Sequence, residues 1–134
     1  MTMNAKKIIT AAITGLVVAT IANGITFYIG KAAGFFPETV IIPNTGQPIS
    51  IAHVIFSSVF TAIGATGLFL MLTKFFAAKA VNVFRIISII FLLVSFGGPF
   101  SIPDAPANMT ITLSLMHVFS GIVLIYFLTV KGVE

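Results

Sequence analysis

The chain has 134 residues, of which 58% are hydrophobic and only 7% charged, with a formal charge of +4 and no cysteine. So low a charge fraction excludes an ordinary soluble domain, in which about a quarter of residues are charged. The missing cysteine excludes disulfides, thiolate metal sites and thiol chemistry. The basic residues sit beside the ends of apolar runs and form no stripe with interleaved polar and aromatic side chains, so they read as topology signals and not as a nucleic-acid surface.

The first apolar run, Ile8 to Ile29, follows Lys6-Lys7. At about 1.5 Å per residue it is long enough to cross a hydrocarbon core of about 30 Å. A signal peptide would have an apolar stretch of about 7–15 residues and a small-residue cleavage site, so a retained helix is expected. The longest connection follows, Gly30 to Ser50. Its Pro37, Pro43 and Pro48 and the turn signal Asn44-Thr45-Gly46 oppose regular helix and allow a short hairpin with Thr39 to Ile42 as one arm. Phe35-Phe36 and Val40-Ile41-Ile42 are apolar, so this loop is expected on the membrane surface or folded over the helices.

The second run extends from Ile51 to Thr73, with Ser50 as its N-cap. A short connection near Lys74 to Lys79 makes the second and third helices antiparallel neighbours. The third run, Ala80 to Phe96, carries Arg85 where its stem can snorkel to the headgroups, and Gly97-Gly98-Pro99 reads as a stop. The fourth runs from Met109 to Val130, with Asn108 as the expected N-cap.

An N-terminus on the cytoplasmic side puts Lys6, Lys7, Lys74, Lys79, Arg85 and Lys131 inside and only Lys31 outside, as the positive-inside rule requires. Tyr28 and Tyr126 then fall near opposite interfaces. The expected fold is all-α: a transmembrane four-helix bundle, up-down-up-down, both termini cytoplasmic, with a proline-containing outer loop between helices 1 and 2. It forms one multi-pass domain over residues 1–134.

Polar and small residues recur at helical spacing and are expected to turn from lipid toward the bundle centre. The first helix offers Ala12, Gly15, Ala19, Asn23 and Thr26; the second, His53, Ser57, Thr61 and Gly64; the third, Ser88 and Ser95; the fourth, Thr110, Ser114, His117 and Gly121. Asn23, Ser57, Ser95 and Ser114 lie roughly 6–10 Å inside the outer boundary and His117 roughly 13–15 Å, whereas His53 stays near the surface. The working picture is an outward-facing polar pocket lined by Asn23, Ser57, Ser95, Ser114 and His117.

His117 leads this set, because an ionisable group inside a transmembrane helix is costly to bury. Its possible roles are proton relay, metal or haem ligation, hydrogen bonding to a polar ligand, or simple helix-to-helix hydrogen bonding. His53, in the first turn of its helix, is expected as a neutral interfacial ring, since the helix dipole disfavours its cation. The two histidines differ by roughly 8–12 Å in depth, a poor match for one haem iron. Too few ligands exist for closed zinc, and no cofactor is expected. Asp104, in the outer loop, is placed either as a solvated turn acid or as a carboxylate pairing with His53 or His117. No G-x-S-x-G elbow or phosphate-binding loop is present, so an enzyme is not the favoured reading.

Lys6-Lys7 before a helix containing Asn23, the proline-bearing loop, the glycines of the second helix, Gly98-Pro99, and Met116-His117 with Gly121 together resemble an uncharacterised family of small bacterial four-helix membrane proteins. The resemblance implies that architecture and an inner-membrane location but no reaction. The expected role is noncatalytic, with a small or lipidic ligand in the outward pocket and the bilayer as first partner. A homodimer or larger complex would pack through Gly64/Gly67 or Gly121. The alternatives are a small transporter or accessory subunit, and a haem- or metal-binding redox protein. A transporter needs water access from both faces, and the inner half of the second and fourth helices is almost entirely apolar.

Overall fold

The computed structural model describes residues 3–134; the expected domain begins at residue 1, and residues 1 and 2 lie outside those described. Helix α1 spans Ala5–Ala32. Asn4, extended at φ −87° and ψ 115°, accepts the Lys6 N–H at 2.9 Å, so the helix starts before the lysines rather than after them. Its far end closes in a Schellman turn. The Phe35 N–H donates to the Gly30 carbonyl at 2.8 Å and the Gly34 N–H to that of Lys31 at 3.1 Å. Gly34 takes the positive φ of 76° that this stop demands.

The expected hairpin forms. Strand β1 (Ile41–Ile42) pairs antiparallel with β2 (Gln47–Pro48), Ile41 opposite Pro48 and Ile42 opposite Gln47. The connection is pinned to α1 by Phe36, whose ring stacks on Phe27 at 5.2 Å. Gly30 leaves the space for it, since a Cβ there would meet Phe36 Cε2 at 2.7 Å.

Three helical segments, where four were expected, are long and apolar enough to cross a membrane: Ala5–Ala32, Ile51–Phe100 and Ala107–Lys131. The second takes in both the second and third apolar runs. Only a 3₁₀ turn, Ala77–Lys79, separates α2 (Ile51–Phe76) from α3 (Ala80–Ser95). That turn reverses the chain at Ala77, at φ 41° and ψ −114°. The rings of Phe69 and Phe84 meet with centroids 4.9 Å apart, where a straight helix would hold them about 22 Å apart.

Gly97-Gly98-Pro99 follows the end of α3, which stops at Ser95 with Phe96 as its cap. It forms one further turn, α4 (Gly97–Phe100), whose end is marked by Ser101 donating to the Gly97 carbonyl at 3.0 Å. Pro99 is tolerated because the first turn of a helix has no carbonyl for its missing N–H. Helix α5 (Ala107–Tyr126) starts after Pro106, so Asn108 lies within its first turn instead of capping it. The helix passes into a wider π turn, Phe127–Lys131.

Two apolar clusters define the ends of the molecule. Ile8, Ala12, Phe69, Leu72, Ala80, Phe84 and Leu128 form one, at what we call the terminal end. The other, at the loop end, joins Phe27, Phe36, Val40, Val54, Met109, Leu113 and Met116. Arg85 braces the terminal end, its Nε donating to Thr129 Oγ1 at 3.1 Å.

Candidate functional site

Between the two clusters lies a belt of polar side chains. Asn23 on α1 is 4% exposed, and its Nδ2 donates to Ser120 Oγ on α5 at 2.8 Å and to Ser58 Oγ on α2 at 3.4 Å. The Ser58 hydroxyl in turn donates to the Val54 carbonyl at 2.9 Å, which leaves its oxygen free to accept. About one turn further toward the loop end of α5, His117 Nδ1 lies 2.9 Å from Ser95 Oγ on α3. The Ser95 hydroxyl donates to the Leu92 carbonyl at 2.7 Å, so His117 Nδ1–H is the donor to Ser95 Oγ. Through these contacts α5 is hydrogen-bonded to α1, which also reaches α2, and to α3.

One atom in the belt is unsatisfied. Asn23 Oδ1 is buried and, among the described residues, is the one buried side-chain polar atom without a partner. Leaving an amide oxygen so costs about 1–3 kcal/mol.

The residues expected to line one pocket are distributed differently. Asn23, Ser95 and His117 belong to the belt. Ser57 does not: it is exposed, and Ser58, the next residue, occupies the position facing Asn23. The stripe His53, Ser57, Thr61 and Gly64 is thus turned by one residue from the buried row Val54, Ser58, Ala62 and Phe69. Ser114 bonds its own backbone, donating to the Thr110 carbonyl at 2.8 Å. It lines an apolar hollow of about 330 Å³ with Phe96, Phe100, Ile111, Leu115 and Val118. His53 serves the start of α2, where its Nδ1 accepts the Ser50 N–H at 3.1 Å and lies 2.8 Å from the Ser50 hydroxyl. Asp104 is exposed in a turn at φ 58° and pairs with neither histidine; among the described residues the one salt bridge is Lys131 with Glu134.

Ser120 and Ser58 were not anticipated. Ser120 lies three residues after His117, a helical spacing that puts the two on one face of α5. Ser58 carries no such signal in the sequence. Among the described residues no three His, Cys, Asp or Glu side chains gather to hold a metal ion. The belt presents hydroxyls, an amide and one imidazole, a set suited to hydrogen bonding.

Long apolar helices that tie their few hydrogen-bonding groups to one another define the class: a helical membrane protein. The chain belongs to the family of unknown function DUF6069, whose model matches residues 3–132. No curated protein and no solved structure matches it.

Proposed function

We propose that the chain crosses a bacterial inner membrane four times, as α1, α2, α3 with α4, and α5, with both termini cytoplasmic. The reversal at Ala77 supports the separation of α2 from α3. The distribution of lysines supports the sidedness: Lys6, Lys7, Lys74, Lys79 and Lys131 belong to the terminal end, and Lys31 alone to the loop end.

Within that frame the belt is a noncatalytic binding site for a small or lipidic ligand that donates a hydrogen bond to Asn23 Oδ1. The unpartnered oxygen carries this reading. With no carboxylate in the belt to balance a cation, a hydroxyl is the fitting donor. Protein extracted in mild detergent is expected to retain a hydroxyl-bearing molecule that native mass spectrometry detects. Asn23→Leu should lose it and Ser57→Ala should keep it. No bound mass in the wild type would end the proposal, and an Asn23→Leu variant that unfolds at a lower temperature would then reduce the belt to helix-to-helix adhesion.

A second reading, an accessory subunit or homodimer, is favoured by one face of α2. Ser57, Thr61, Gly64 and Gly67 are exposed, and a Cβ built on either glycine meets nothing within 4 Å. Hydroxyls and bare backbone are poor company for acyl chains and good surfaces for another helix. Because the chain has no cysteine, Thr61→Cys offers oxidative cross-linking in native membranes without background. A cross-linked band is expected for a homodimer, and its absence across Ser57→Cys, Thr61→Cys and Gly64→Cys would refute that form of the reading.

A further inference from the structure

A second hollow lies at the loop end, away from the belt, with a volume of about 290 Å³. That is close to the lower end of small-molecule sites, about 300–1,000 Å³. Its wall carries one cation and one anion, Lys31 from the last turn of α1 and Glu38 from the connection. The two do not pair with each other, since Lys131–Glu134 is the one salt bridge among the described residues. Gln47 adds an amide, and Phe36, Pro48 and Ile49 add apolar surface.

The hollow is built on a fixed base. Phe36 is buried, stacked on Phe27 and lodged over Gly30, while Pro48 and Gln47 are held in the β1–β2 ladder. Its level is set by Tyr28, exposed one turn before Lys31 on α1, where a phenol anchors a helix in the headgroup region. An unpaired lysine and an unpaired carboxylate around an apolar floor at that level match a ligand with a phosphate and an ammonium group. The geometry points to a zwitterionic phosphoethanolamine site, with the phosphate at Lys31 and the ammonium N–H groups at Glu38. This rests on the membrane-crossing arrangement proposed above but not on the ligand of the belt.

The test is native mass spectrometry of the full chain in detergent with phosphatidylethanolamine, phosphatidylglycerol and phosphatidylcholine of identical acyl chains. Phosphatidylglycerol lacks the ammonium, and phosphatidylcholine lacks its N–H donors. Wild type should retain phosphatidylethanolamine roughly threefold over each of the others, the scale of one exposed ion pair. Glu38→Gln should erase that preference, and Lys31→Gln should weaken retention of all three lipids. Both residues are exposed, so neither variant is expected to disturb the fold. Competition with soluble glycerophosphoethanolamine identifies the source: displacement of the lipid means that a free zwitterion suffices, and no displacement means that the acyl chains are required. Equal retention of the three lipids by wild type, or a preference that survives Glu38→Gln, overturns the assignment. Asn23→Leu should leave the preference intact, which separates failure here from failure of the belt reading.

Discussion

Ser57 and Ser58 are chemically identical and adjacent, yet only Ser58 meets Asn23. Interhelical hydrogen bonds in membrane proteins average about 0.6 kcal/mol, with a maximum near 1.7 kcal/mol. Ser58→Ala is therefore expected to lower stability by about that average, and Ser57→Ala to leave it unchanged in the isolated protein. Unfolding of the detergent-solubilised chain by SDS titration measures both. Asn23, Ser95 and His117 were legible in the sequence because a hydrogen-bonding group inside an apolar helix has few places to go. The inward face of α2 was not. In lipid, apolar character does not separate inside from outside, and Phe56 and Phe60 are more exposed than most side chains of the protein. The buried face is chosen by volume and by a partner on another helix, as Ala62 and Ser58 are, and neither choice leaves a local pattern.

The helical elements themselves were readable from their apolar runs, but their ends were not. The start of α1 at Asn4 depended on one side-chain cap, and the extra turn α4 on Gly97-Gly98-Pro99 behaving as a helix start as well as a stop. The reversal between α2 and α3 is the most constrained of these joints. Ala77, at φ 41° and ψ −114°, holds a conformation suited to glycine, and such backbone strain costs about 1–3 kcal/mol. Glycine loses about 0.5–1 kcal/mol more backbone entropy than alanine on ordering. The difference still favours it, so Ala77→Gly is expected to raise stability by about 1 kcal/mol, seen as a higher midpoint in the same titration. A lowered midpoint would show that the turn is not strained.

At the scale of the whole molecule, the architecture is two apolar clusters with a polar belt between them and a surface that is itself apolar. Ile13, Ile21, Phe60, Phe91, Val94 and Ile122 are among the large side chains left exposed, as suits a chain solvated by lipid. The proposed four crossings make a direct prediction for single cysteines introduced at exposed loop positions. Asn44→Cys should react with a membrane-impermeant maleimide in intact cells, and Ala78→Cys only after the membrane is opened. Reaction of both from the same side would dismantle the topology.

The lodging of Phe36 over Gly30 has a consequence for biogenesis. Residues 35–48 owe their shape to a notch in α1 and to the Val54, Met109 and Met116 side chains beneath them. Those supports come from segments synthesised at different times, the last of them α5. The connection must therefore leave the insertion machinery without its final form and settle only when the C-terminal helix arrives. A ribosome-stalled chain ending before residue 107 should accordingly be cut by protease near Asn44, and the finished protein should resist.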